Sequence, residues 1–191
     1  MEGQGESRSP RLFTPGVAVL LGFVLLAGNP WLNRDVQLAV YDFESAGRLV
    51  GVVFSYPAWQ VDVELYGPFM FWFGNLRTLL FVVLAVAGLL RVPRWVNGGG
   101  LALFVVTVGM TALSAVAAGL GSGLVAVTLL DTDGSRPFID ADRPEEFFLG
   151  QLSASASFGV LFGIVLGAVA VLQQRTPVRR EPRVDTPKSF W

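Results

Sequence analysis

The chain has no cysteine and no histidine among its 191 residues. That excludes disulfides, thiolate metal sites, haem ligation through imidazole, and Ser-His or Cys-His nucleophile pairs. A proton relay through imidazole is excluded as well. Any metal would need oxygen ligands alone. Charge is also scarce: charged residues make up 15% of the chain, against about a quarter in an ordinary globular domain. The shortage is not spread evenly. It comes from long uncharged runs, and hydrophobic residues reach 52%. Apolar residues gathered in blocks, rather than dispersed along amphipathic faces, indicate an integral membrane protein.

Taken in order, residues 1–11 are polar and small and read as a disordered N-terminus. Thr14-Pro15 is the pairing expected of an N-cap and first helical residue. It opens a first span over about 12–32, interrupted by the break signal Asn29-Pro30. Arg8 and Arg11 would also suit a signal peptide, but Leu26 occupies the place of a small residue before cleavage, so a retained anchor is expected. Uncharged or nearly uncharged runs predict further spans over 68–92, 101–130 and 147–172. The connection between the middle two, Pro93 to Gly100, ends in three glycines and is too short for anything but antiparallel neighbours. A proline-punctuated tail, 173–191, reads as disordered.

The first connection, 33–67, is long and contains two alternating stretches. Trp59, Val61, Val63 and Leu65 fall on one face, with Gln60, Asp62, Glu64 and Tyr66 on the other. Val36 to Tyr41 alternates less cleanly. The fold expected is therefore an all-α integral membrane protein: a four-helix transmembrane bundle with a small, partly β extracytoplasmic cap from the first loop. Its aromatics (Trp31, Phe54, Tyr56, Trp59 and Tyr66 among them) are expected to form an interfacial belt.

Charge distribution gives an orientation. Residues 1–11, 91–100 and 173–191 carry nine basic residues and four acidic ones, whereas the outer loops 33–67 and 131–146 carry four and eleven. The positive-inside rule then places both termini and the glycine turn in the cytoplasm of a multi-pass plasma-membrane protein. This layout, with a long first outer loop and a shorter second one, is similar in outline to claudin-type proteins. The likeness is one of topology alone. The paired loop cysteines of that family are absent, and no residue role is carried over.

Two ladders of small residues mark the last two spans: Ala115, Gly119 and Gly123, then Ser155, Gly159, Gly163 and Gly167. Residues four apart share a helix face, so each ladder is a smooth groove for close helix packing. Arg77 is the one ionisable residue placed within the hydrocarbon, about six residues inside a boundary counted back from Arg91 to near Phe71. With Asn75 and Gln151 it suggests an intramembrane polar notch. Arg77 is expected either to snorkel outward or to pair with Asp62, Glu64, Asp131, Glu145, Glu146 or Gln151. Asp131-Thr-Asp133-Gly-Ser135 begins like a calcium loop, but its glycine is misplaced, and a capped acidic turn led by Asp142 and Glu145 is the better reading. Glu145 and Glu146 face different directions and would not converge on one substrate.

No catalytic residue, metal site or cofactor is therefore assigned. The partners expected are the lipid bilayer and either another membrane protein or a second copy, with no nucleic acid. The expected role is a non-catalytic accessory, assembly or interaction subunit of the cell envelope, with a small oligomeric transporter or channel as the alternative. The Ala, Gly, Val and Arg bias suits a high-GC bacterial genome.

Overall fold

The computed structural model describes residues 15–40, 46–96, 99–129 and 143–175. Expectations for residues 1–11, for Thr14, for the calcium-like stretch and cap at 131–142, and for the tail beyond 175 fall outside the described residues. Among the described residues there are six helices: α1 Pro15–Ala27, α2 Pro30–Val40, α3 Ala46–Ser55, α4 Val63–Trp95, α5 Gly100–Leu129 and α6 Pro144–Arg175.

Three of these helices are long and apolar enough to cross a membrane: α4, α5 and α6 each contain a 30-residue candidate span. At 1.5 Å per residue each span is about 45 Å long, more than the roughly 30 Å of hydrocarbon, so the helices tilt or project. Their outward faces are apolar, with Leu79, Val83, Leu101, Leu113, Val160 and Ile164 exposed. The inward faces carry small and aromatic residues, as the core of Phe81, Ala85, Ala115, Ala118, Phe158 and Phe162 illustrates. The α5–α6 seam is the closest contact in the bundle, and α4 lies on its α5 side.

The first expected span is where the structure departs from expectation. Helix α1 has only 13 residues, about 20 Å, too short to cross alone. The chain then bends by 76° into α2, so the first expected span is not one straight helix. The bend has two causes. Asn29 Oδ1 accepts from the backbone N–H groups of Trp31 (3.0 Å) and Leu32 (3.3 Å), which makes it an N-cap, and Pro30 starts the new helix. Gly28 makes the corner possible: a Cβ there would stand 2.4 Å from the Val24 carbonyl oxygen and 2.7 Å from the Trp59 ring.

The partly β cap is overturned. Among the described residues there is no strand, and the first loop is mostly helical. Val36 to Val40 belongs to α2. The cleaner alternation, 59–66, fails because no second strand is there to pair with it. Asp62 instead caps α4, its side chain accepting from the N–H groups of Glu64 (2.9 Å) and Leu65 (3.1 Å). One turn later Gly67, at φ 73°, breaks the helix, and Pro68 starts the continuous part. The partly β first loop, one part of the likeness in outline to claudin-type proteins, is thus missing among the described residues.

Nor does the loop rest on the membrane surface throughout. Helix α3 and residues 56–60 turn back into the bundle. Phe54 meets Phe23 of α1 edge-on, at 6.2 Å between ring centres. Tyr56 is 2% exposed and stacks on Phe158 at 4.3 Å, halfway along α6. Half of the fourth corner of the bundle is thus α1 and the other half is this re-entrant segment. Tyr56 is consequently a core residue, and Phe54 and Trp59 are half-buried against the bundle, rather than all three forming an interfacial belt.

Candidate functional site

An extended stretch inside a bundle raises a physical problem. Residues 56–60 carry backbone donors and acceptors, buried or half-buried in the bundle, that no helix or sheet satisfies. Irregular backbone at membrane depth is tolerated only where protein supplies the partners. The sequence supplies them from one face of α4, where Asn75 and Thr78 stand three residues apart with Arg77 beside them.

Each of these side chains takes one part of the segment. Asn75 Nδ2 donates to the Gln60 carbonyl and its Oδ1 accepts from the Gln60 N–H, both at 3.0 Å. That reciprocal pair does the work of a strand partner. Thr78 Oγ1 donates to the Ala58 carbonyl at 3.3 Å and to its own Gly74 carbonyl at 3.0 Å. Arg77 Nη2 donates to the Tyr56 carbonyl at 3.0 Å. From α1's side the Gly28 carbonyl accepts from Trp59 N–H at 3.0 Å. Gly74 allows the close approach, since a Cβ there would be 3.1 Å from Gln60 Cγ. Asn33 of α2 finishes the corner by donating through Nδ2 to the Ala27 carbonyl at 2.8 Å and to the Phe54 carbonyl. The free carbonyl ends of α1 and α3 are thereby both capped by one buried amide.

Arg77 is turned toward the re-entrant segment and α6, which hold its guanidinium from two sides. Besides Tyr56, its Nη1 donates to Gln151 Oε1 at 3.4 Å. The guanidinium lies 4.7 Å from the Tyr56 ring centre and 5.2 Å from that of Phe73, favourable cation–π distances. Of the acids named as partners from sequence, Asp62 is the α4 cap, Glu64 and Glu145 are exposed, and Glu146 pairs with Arg143 at 3.0 Å. Asp131 lies outside the described residues. The structure therefore brings Arg77 and Gln151 together, with Asn75 on the neighbouring stretch of the same segment.

The small-residue ladders meet along the α5–α6 seam. A Cβ on Gly159 would stand 2.5 Å from Ala112 Cα, one on Gly163 3.0 Å from Val108 Cα, and one on Gly167 2.8 Å from the Phe104 ring. Gly119 faces Ser155, whose Oγ would be 2.2 Å from an added Cβ, and Gly123 faces Phe147 and Phe148. Ala115 is wholly buried, and its carbonyl accepts from Tyr56 Oη. The hydroxyls beside the seam turn back on their own helix: Thr107 to Leu103 O (2.7 Å), Thr111 to Thr107 O (2.8 Å) and Ser114 to Met110 O (2.7 Å).

On the side away from the seam, the re-entrant segment leaves a cavity of about 320 Å³ under α2. Asn33, Arg34, Trp59, Gln60, Tyr66 and Arg77 are in its wall. Sequence reasoning found Asn75, Arg77 and Gln151 but missed Asn33, Thr78 and the segment they hold. Thr78 had a readable signal, because it shares the Asn75 face in an otherwise apolar run. Tyr56 had none, since nothing in local periodicity marks a residue that re-enters a bundle. Compared with known proteins, the chain matches no family model, no curated protein and no solved structure.

Proposed function

We propose that this multi-pass membrane protein is a non-catalytic accessory or assembly subunit of the cell envelope. Its interaction surface is the end of the bundle where α2 and the start of α4 meet. One observation carries the reading. Val61 and Leu65 are 66% and 72% exposed at this end, and Trp31 of α2 is 75% exposed. Counting about 20 apolar residues from Arg91 sets the hydrocarbon boundary near Phe71. Leu65 then lies beyond it, on the far side of the Gly67 break. Large apolar side chains exposed outside the hydrocarbon mark a contact surface. With the charge distribution of the loops, this end faces out of a plasma membrane and both termini face the cytoplasm.

The bundle's polar side chains favour this role over a transporter. Asn33, Asn75, Arg77 and Thr78 are engaged on the chain's own backbone, and the seam hydroxyls on their own carbonyls. A conduction path would have to release them. The test uses a photo-crosslinking side chain at Leu65 and, for comparison, at lipid-facing Val83. The reading expects a single discrete protein adduct at 65 and none at 83. Equal labelling at both positions, or reconstituted protein that passes ions across vesicles, would overturn it. The cysteine-free background also permits an orientation test. Glu64→Cys should react with an impermeant maleimide from outside intact cells, and Asn97→Cys only after lysis.

A further inference from the structure

We propose that the cavity beneath α2 binds a phosphate group, and that the phosphate is that of an anionic lipid headgroup. The cavity is enclosed by α2, by residues 58–60 and by the start of α4. The charged residues in its wall are Arg34 and Arg77, and among the described residues no carboxylate lines it. Arg77 is held in place from behind by its bonds to the Tyr56 carbonyl and Gln151, so its charge is fixed at the inner wall. Arg34, on exposed α2, stands at the mouth. The Arg34 guanidinium suits phosphate because its planar fork offers paired donors to the oxygens, while Arg77, whose two Nη groups already donate within the protein, contributes charge. The remaining wall is mixed: amides from Asn33 and Gln60, the Trp59 and Tyr66 rings, and apolar Met70.

Size and depth select a lipid. At about 320 Å³ the cavity lies at the small end of ligand sites, enough for a headgroup and not for acyl chains. Along α4 it reaches from Tyr66 to Arg77, and so straddles the boundary near Phe71 at the level where lipid phosphates lie. Guanidinium charge at that level attracts anionic headgroups on either face of a membrane. The inference does not depend on the partner reading above, since a headgroup site serves a subunit or a transporter alike.

The full chain, purified in detergent and stripped of lipid, provides the test. Thermal unfolding is followed while dioleoylphosphatidylglycerol, dioleoylphosphatidylcholine or soluble glycerol 1-phosphate is titrated in. The expected result is saturable stabilisation by the phosphatidylglycerol alone. Arg34→Ala should weaken it about tenfold, the loss of one charge-assisted contact. Arg91→Ala, a basic residue at the far end of α4, should leave it unchanged. Stabilisation by glycerol 1-phosphate equal to that of the lipid would keep the phosphate site but overturn its lipid source. Equal effects of the two lipids, or equal losses from Arg34→Ala and Arg91→Ala, would overturn the site itself.

Discussion

Gly159→Ala adds a single methyl group to the α5–α6 seam, and its cost can be worked from the geometry. The new Cβ would lie 2.5 Å from Ala112 Cα, 3.0 Å from Ala115 Cβ and 3.2 Å from Ala112 N. Carbon atoms in good contact sit about 3.5–4.0 Å apart. The nearest atoms belong to backbone, so no side chain can rotate away, and the helices must separate by about 1 Å at this level. A gap of about 0.5–1 Å forfeits a quarter to a half of each neighbouring contact's attraction. Gly163 against Val108 lies one turn away and feels the same opening. Overpacking of this kind costs about 1–3 kcal/mol. Helix propensity acts in the other direction, by up to about 1 kcal/mol. The steric effect wins, and a net loss of about 1–2 kcal/mol is expected. Gly150→Ala is the control, because nothing lies within 4 Å of an added Cβ there. It should be neutral or slightly stabilising. Reversible unfolding in mixed dodecyl maltoside–SDS micelles, followed by helical circular dichroism, measures both. A Gly159→Ala protein as stable as the parent, or equal losses for the two variants, would refute the packing account.

Other substitutions test the re-entrant segment by the same unfolding assay. Arg77→Leu leaves the buried Tyr56 carbonyl without its 3.0 Å donor and should cost about 1–3 kcal/mol; no change would mean that water replaces the guanidinium. Tyr56→Phe keeps the ring stacked on Phe158 but removes the donor to the Ala115 carbonyl, for a smaller loss of about 0.5–1.5 kcal/mol. Gly119→Ala should cost less than Gly159→Ala, because the atom it meets is the Oγ of Ser155, which can rotate, and Ser155→Gly should restore most of the loss. Gly67→Ala forces φ 73° and ψ 158° on a residue with a Cβ; the backbone strain alone should cost about 1–3 kcal/mol, since the added methyl group meets nothing within 4 Å.

The three long helices are legible in the sequence because each is an uncharged or, with Arg77 in α4, nearly uncharged run of span length, and run length is independent of tertiary context. The adjacency of α4 and α5 is legible for a similar reason, since a link this short permits little else. Asn29-Pro30 is more instructive. It is a break signal, but it is also the same pairing of cap and first helical residue as Thr14-Pro15, and in that second sense it marks the start of α2. Likewise Asp62 falls on one face of an alternating stretch, although an aspartate two residues before Glu64 at the head of a span is also a cap. Alternation is a strand signal only where a partner strand exists, and local sequence carries no information on that. Arg77, Asn75 and Gln151 stand out because polar residues are rare in an apolar run. What they hold does not, since the backbone of residues 56–60 comes to α4 through a bend and a re-entry that no local pattern records.

That dependence imposes an order on biogenesis. The carbonyls and N–H groups of residues 56–60 find their partners on Asn75, Arg77 and Thr78, which the ribosome makes later. Until α4 is in the bilayer, moving this segment into hydrocarbon would strip several backbone groups of water with nothing in exchange. Residues 56–60 are therefore expected to enter the bundle only after α4 has been inserted, so this corner is completed later than its place in the chain would suggest.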